Sequence, residues 1–197
     1  MMANPPFGKT WKVDLAAMGG KTGALDPRFV VEYPGLDGDD KRLRLFPRVS
    51  DGQLLFLVNK LSKMKDTPLG SRIADIHNGS ALFTGEAGSG ESNVRRWIIE
   101  NDWLEAIVAL PLNIFYNTGI ATYVWVLSNR KAEHRKGKVQ LIDATGLFRP
   151  LPRNLGKRNC EMTPEHIQSV LDAYEAMEPS DTSVVLPNSA FGYWKIV

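Results

Sequence analysis

Asn4-Pro5-Pro6-Phe7 is the segment of this 197-residue chain whose residue types can do chemistry together. Two consecutive prolines fix two φ angles and remove two N–H donors, which leaves the carbonyls of Asn4 and Pro5 free to accept from a ligand amine. The Asn4 carboxamide oxygen adds an acceptor. The Phe7 ring offers a flat face for stacking. With proline at about 5% of ordinary usage, Asn, Asp or Ser followed by Pro-Pro and an aromatic arises by chance in roughly one chain in two hundred of this length. From these four residues alone, two readings stay open: an amine-binding turn, and a rigid loop that buries a core phenylalanine.

The remaining candidates for chemistry are weaker. Gly85, Gly88 and Gly90 precede a helix, whose N-terminus attracts phosphate. No Gly-Lys-Ser/Thr follows them, and the spacing lacks the third glycine of a dinucleotide fingerprint, so they read as a flexible loop. His77, His134 and His166 are far apart and lack carboxylate or cysteine companions at ligand spacing, so no metal site is expected. The single cysteine, Cys160, excludes an intramolecular disulfide framework and a multi-cysteine zinc site; it reads as an inert thiol. With no signal peptide in view, a reducing compartment is expected, the cytoplasm by default. Twenty-four Lys and Arg against 22 Asp and Glu give a charge of +2, so a polyanion site has to come from local clustering. Such a cluster lies between residues 129 and 159, where Arg130, Lys131, Arg135, Lys136, Lys138, Arg149, Arg153, Lys157 and Arg158 face only Glu133 and Asp143. It reads either as a phosphate-tracking surface or as a solvated face.

The elements that hold these residues are read from hydrophobic period. Residues 8–49 carry many Gly, Pro and Asp, including the run from Pro34 to Asp40, and read as a long loop region with short elements. Leu54, Val58 and Leu61 recur at helical spacing after Ser50, which can cap, and Pro68-Leu69-Gly70 ends that segment. Arg72 to His77 predicts a strand, Asn78-Gly79-Ser80 a turn, and Val94, Trp97 and Ile98 one face of a second helix ending at Asn101-Asp102. Leu104 to Leu110, Ala121 to Ser128 and Val139 to Ile142 predict three strands. Thr163 followed by Pro164 opens a third helix that runs to about Met177. The apolar runs, such as Ile120 to Leu127, are far shorter than the roughly 18 residues of a membrane span. Strand, helix, strand and then consecutive strands predict an α/β sheet that begins parallel and finishes with an antiparallel hairpin. The connection from Pro111 to Gly119 is long, and loops of that size on a rigid sheet often carry binding residues.

Asn-Pro-Pro-Phe resembles motif IV of the amino-methyltransferases, which move a methyl group from S-adenosylmethionine to an exocyclic nitrogen. More of the chain resembles the modification subunit of type I restriction-modification systems. The similarity runs through Ser50-Asp51-Gly52-Gln53-Leu54-Leu55-Phe56, Asn78-Gly79-Ser80-Ala81-Leu82-Phe83-Thr84-Gly85, Gly90-Glu91-Ser92-Asn93-Val94-Arg95-Arg96-Trp97, the stretch from Asn113 to Tyr123, Lys138 to Ala144, and Phe191-Gly192-Tyr193. The resemblance implies a partial Rossmann-like, S-adenosylmethionine-dependent methyltransferase fold with a mixed sheet, and N6 methylation of an adenine flipped out of duplex DNA. It implies that Asn4, Pro5, Pro6 and Phe7 are catalytic, with Asn4 and Phe7 also touching the methyl-donor end of the cofactor. Phe115, Tyr116 and Asn117 then become candidates for the opposite wall of the base pocket. Arg130, Lys131, Arg135, Lys136, Lys138, Arg153, Lys157 and Arg158 become candidates for the DNA surface. The implied partners are double-stranded DNA and the specificity and restriction subunits of the same system, the specificity subunit being the one that reads the recognition sequence.

The chain departs from the family in one respect. A glycine-rich cofactor motif upstream of motif IV and an acidic residue for the ribose are expected, and neither lies in these residues. The expectation is therefore a fragment: residues 1–160 as the target-base half of the catalytic domain, and residues 161–197 as a C-terminal helix and tail packing on it. A sheet missing its first strands has an open edge, which makes a dimer of the fragment an expectation too. By itself the fragment is expected to be inactive. Asn-Pro-Pro-Phe also occurs in methyltransferases acting on guanine N2 of ribosomal RNA, and the glutamine-modifying ones carry Tyr in its last position; the later motifs argue against both. A non-catalytic module that binds DNA or another subunit is the rival from a different class.

Overall fold

The computed structural model describes residues 1–20, 26–34 and 40–193. Its organising element is a strand with strict alternation: β4 (Arg72–Asn78) buries Ile73, Asp75 and His77 and leaves Ala74 and Ile76 half-buried, the period of two that a pleated strand imposes. Beside it lie β1 (Met2–Ala3), parallel to β4, and β6 (Thr122–Ser128), antiparallel to β4. β6 is also antiparallel to β5 (Leu104–Ala109), and β5 is parallel to β7 (Lys138–Asp143). β10 (Ser183–Pro187) closes the far edge antiparallel to β7, giving the order β1-β4-β6-β5-β7-β10. The result is the mixed α/β sheet expected, parallel at its first pair and antiparallel at its last. Because β6 runs against both of its neighbours, β1, β4, β5 and β7 all point the same way. Their carboxyl ends therefore share one rim.

Helices cover the two faces of the sheet. α2 (Gln53–Leu61) and α4 (Gly90–Glu100) place Leu54, Leu57, Val58, Leu61, Val94 and Ile98 against Ile73, Ile107, Trp125 and Leu127. Truncating one such residue, Ile98→Ala for instance, should cost about 2–5 kcal/mol in transfer and cavity terms. On the opposite face α5 (Pro164–Ala176) lays Val170, Ala173 and Tyr174 on Val108, Ile142 and Ala144. α5 opens with Pro164 after Thr163 as its sequence predicts, and a capping box is added there: Thr163 accepts the His166 N–H, and His166 Nδ1 accepts the Thr163 N–H. One short turn of helix, α3 (Ser80–Phe83), follows β4. Among the described residues no helix is long and apolar enough to cross a membrane.

Two features differ from the sequence expectation, whereas residues 8–49 hold the short elements it includes: α1 (Lys12–Ala17) and the antiparallel pair β2 (Val30–Pro34) and β3 (Asp40–Arg44), residues 35–39 lying outside the described residues. Trp11 and Leu15 seat α1 against Phe46, Val49 and Leu55. Helix α2 starts at Gln53, not beside Ser50, because Asp51 Oδ1 takes the Gln53 N–H. Residues 149–161 form a second hairpin, β8 (Arg149–Leu155) with β9 (Arg158–Glu161). Pro150 and Pro152 hide that hairpin, since they remove the donors by which a strand is usually read.

Candidate active site

Asn4 to Phe7 leave the carboxyl end of β1, where Met2 and Ala3 pair with Ala74 and Asp75. Asn4 and Pro6 are exposed, Pro5 is buried and Phe7 is half-buried. Pro5 thus wedges the turn into the molecule while the Asn4 carboxamide stays free for a ligand. Phe7 belongs to none of the hydrophobic clusters of the described residues, which weighs against the reading of a loop that exists to bury a core ring.

The turn is fastened from below by a buried polar network. The Gly8 N–H donates to Asp51 Oδ1 at 3.1 Å, and Gly8 sits at φ +62°, in the left-handed region that favours glycine. Asp51 Oδ2 accepts from Gln53 Nε2 at 2.7 Å and lies 3.0 Å from the Ser80 hydroxyl. Gln53 in turn reaches the end of β4: its Oε1 accepts the Asn78 N–H at 3.2 Å, and its Nε2 donates to Asn78 Oδ1 at 2.7 Å. Asp51, Gln53, Asn78 and Ser80 lie in the stretches that carry the family resemblance, but residue type alone gave them no role. Their function is visible only once the fold brings positions 8, 51 and 78 together.

The long connection after β5 occupies the same rim. Counted across the sheet, β1 and β5 are three strand spacings apart, about 14 Å. The loop is braced by the β8–β9 hairpin: the Lys157 N–H donates to the Tyr116 carbonyl at 2.9 Å, and the Asn159 N–H to the Asn113 carbonyl at 3.2 Å. Gly156 is required there, because a Cβ at that position would lie 2.7 Å from the Tyr116 carbonyl oxygen. Phe115 is half-buried, whereas Tyr116 and Asn117 are exposed. Cys160 is buried in the hairpin with its S–H on the Leu112 carbonyl, and burial pushes its thiol pKa up, away from nucleophilic chemistry.

The basic cluster does not form one surface. Arg130, Lys131, Arg135, Lys136 and Lys138 follow the carboxyl end of β6 or open β7, which puts them on the opposite rim, about 20 Å away along the strands. Arg130 pairs there with Asp66. Lys131 is buried, donating to Asp102 at 2.6 Å and to the Lys138 carbonyl at 2.8 Å. Arg135 is buried as well, its guanidinium 3.8 Å from the centre of the Tyr174 ring and donating to the Tyr174 carbonyl. These five are withdrawn from a DNA surface next to Asn4, the buried pair because a phosphate cannot reach them. Arg149, Arg153, Lys157 and Arg158 lie on the hairpin beyond the carboxyl end of β7, on the rim of Asn4. Arg149 and Arg158 both pair with Glu161, and Arg153 and Lys157 are exposed.

A groove of about 1600 Å³ runs between α4 and the β7–β10 side of the sheet, lined by Ile98, Ile107, Trp125, Leu141, Val184 and Phe191 among others. None of Asn4 to Phe7 lines it.

Comparison with known proteins supports the fold. A profile of the N-6 DNA Methylase family matches residues 1–189. The chain is 35% identical over 95 residues to the type I restriction enzyme MjaIX methylase subunit of Methanocaldococcus jannaschii, a match covering 48% of this chain and 16% of the relative. The MjaVII methylase subunit of the same organism is 34% identical over 107 residues, covering 54% of this chain and 18% of the relative. The solved methyltransferase subunit of the type I restriction-modification system from Streptococcus thermophilus aligns at a TM-score of 0.69 and 27% identity, over 95% of this chain and 34% of that chain. The present chain thus spans about a third of the solved relative's length.

Proposed function

The chain belongs to the N-6 DNA methylase family, and from that premise we propose that it carries the target-base side of a type I modification subunit, an adenine-N6 DNA methyltransferase dependent on S-adenosylmethionine. The observation that carries the reading is an exposed Asn4 carboxamide on a turn wedged by Pro5, at the strand rim that also bears the Phe115–Asn117 loop. Ligands of open α/β sheets bind outside such carboxyl strand ends.

The chemistry follows from acceptors and a ring. An adenine amine is a poor nucleophile because its lone pair is delocalised into the base. The Asn4 side-chain oxygen and the Pro5 carbonyl accept its two N–H bonds and favour a pyramidal nitrogen whose lone pair is free to attack, so the contribution is positioning and electrostatics. Phe7 stacks on the flipped base, and Phe115, Tyr116 and Asn117 wall the other side. No strong base is needed beforehand, since methylation itself makes the amine acidic. S-adenosylmethionine supplies the electrophilic methyl when bound. The residues present suit the donor end of that cofactor: a neutral carboxamide, a carbonyl and a half-buried ring, with the nearby Asp51 carboxylate already committed to other donors. Residues 1–160 are assigned to the target-base half and the remainder to a C-terminal element packed on it. Arg153, Lys157 and Arg158 supply phosphate contacts on the same rim. Double-stranded DNA and the specificity and restriction subunits are the partners this reading assigns, with a cytoplasmic location.

The test is Asn4→Ala in the protein as made in its host, with whatever subunits it carries. Turnover should fall about a hundredfold while DNA affinity stays within twofold, because the acceptor is used most strongly in the transition state. Wild-type turnover in this variant refutes the assignment.

A further inference from the structure

Asp51 is 7% exposed and makes no ion pair with a lysine or arginine among the described residues. A buried carboxylate without a counter-charge is costly unless hydrogen bonds saturate it. Here they do: Oδ1 accepts the Gly8 and Gln53 N–H groups at 3.1 and 3.2 Å, and Oδ2 faces Gln53 Nε2 at 2.7 Å and the Ser80 hydroxyl at 3.0 Å. Three of these four donors belong to α2 and to the turn after β4. The fourth, Gly8, lies one residue beyond Phe7 and 43 residues away in sequence from Asp51.

We propose that Asp51 is a positioning residue for methyl transfer: its carboxylate holds the Gly8 amide and so fixes Phe7 and the Asn4–Pro5 acceptors against the end of β4. The inference rests on the proposed methyltransferase reading and adds a residue to it. Three features support this role over ordinary stability. Gly8 itself is unpacked, with nothing within 4 Å of where a Cβ would lie, so between the buried Pro5 and the Lys9 carbonyl, which accepts the Gly52 N–H at 3.0 Å, the Asp51 bond is the contact that fixes the Gly8 amide. β1 is only two residues long and forms an edge of the sheet, so sheet pairing constrains the turn weakly. Gln53, 1% exposed, ties Asp51 to Asn78 on β4, so the anchor transmits the position of a central strand. An acceptor-only group is required, because an asparagine in this place could satisfy only one of the two donor pairs.

Two measurements decide the proposal. In the 197-residue chain, amide hydrogen exchange at Gly8 should be at least tenfold faster in Asp51→Ala than in wild type, with the amides of Ile73 and Trp125 unchanged. In the protein as made in its host, kcat for adenine methylation should fall about a hundredfold in Asp51→Ala, the loss expected of reacting groups displaced by about 1 Å. It should fall less in Asp51→Asn, and KM for DNA and for S-adenosylmethionine should stay within threefold in both. A purely structural role would instead lower the active fraction and leave kcat per folded molecule intact. If Asp51→Ala does not fold, Asp51→Ser, whose side chain is too short to hold the Gly8 amide, carries the same comparison. Unchanged Gly8 exchange, or lost protection with unchanged kcat, overturns the proposal. An inactive wild type overturns the methyltransferase reading itself, and the exchange measurement still decides whether Asp51 anchors the turn.

Discussion

Arg135→Ala separates the two roles that a basic residue in this chain can have. Arg135 is 3% exposed, donates to the Tyr174 carbonyl and to Gln140 Oε1 at 3.3 Å, and lies over the Tyr174 ring at 3.8 Å. A desolvated cation–π contact contributes about 2 kcal/mol, and hydrogen bonds from a charged donor about 1.5–3 kcal/mol. Because these terms share one side chain and do not add fully, a loss of about 3–5 kcal/mol is expected. At a urea slope of about 2 kcal/mol per molar, the unfolding midpoint should drop by about 2 M. Fluorescence anisotropy with a labelled duplex supplies the second readout. At a salt concentration where wild type is folded, Arg135→Ala should bind DNA as wild type does, whereas the double replacement of Arg153 and Lys157 by Ala should weaken binding and lower the salt slope by about two, one for each lost phosphate contact. An Arg135→Ala protein of normal stability and impaired DNA binding would refute the division of the basic cluster between two rims.

Other outcomes follow from the same geometry. Burial and the 2.8 Å bond to Glu105 Oε2 push the Tyr174 hydroxyl up to about 12. A raised folded value means that this contribution to stability is complete below about pH 10, the ordinary tyrosine range, and is lost as pH climbs toward 12. The Tyr174 step near pH 12 in the phenolate absorbance of wild type should be missing from Tyr174→Phe, and a difference curve without that late step would contradict it. The isolated 197-residue chain should bind S-adenosylmethionine weakly or not at all in calorimetric titration, because the glycine-rich turn and ribose carboxylate of such sites are not among its residues; micromolar affinity would refute this. Replacing Phe7 by Ala should reduce the fluorescence rise of 2-aminopurine placed at the target base, which reports flipping, and an unchanged rise removes Phe7 from the base pocket.

Much of this arrangement could be read from period and caps. β4, β5, β6 and β7 alternate or run apolar, Thr163-Pro164 marks the start of α5, and the bounds move by only a residue or two. The strand order could not be read. β5 and β6 form a hairpin, and only tertiary packing decides that β6 inserts between β4 and β5. The antiparallel run of β6 sends the residues after it to the far rim, which is why a basic run that looks continuous from 130 to 158 divides in space. Asp51 was hidden for a different reason. The cap before that apolar period is read at Ser50, and the Gly8 amide that Asp51 holds is supplied by a turn 43 residues away. Asn4 to Phe7 were legible because two adjacent prolines restrict the backbone in any context.

The most direct test of the account is the identity of the methylated product. Duplex DNA incubated with S-adenosylmethionine and the protein as made in its host, then digested to nucleosides for mass spectrometry, should yield N6-methyladenine, with about a hundredfold less from Asn4→Ala. Methyl groups on cytosine or guanine, or equal N6-methyladenine from wild type and Asn4→Ala, would contradict the account.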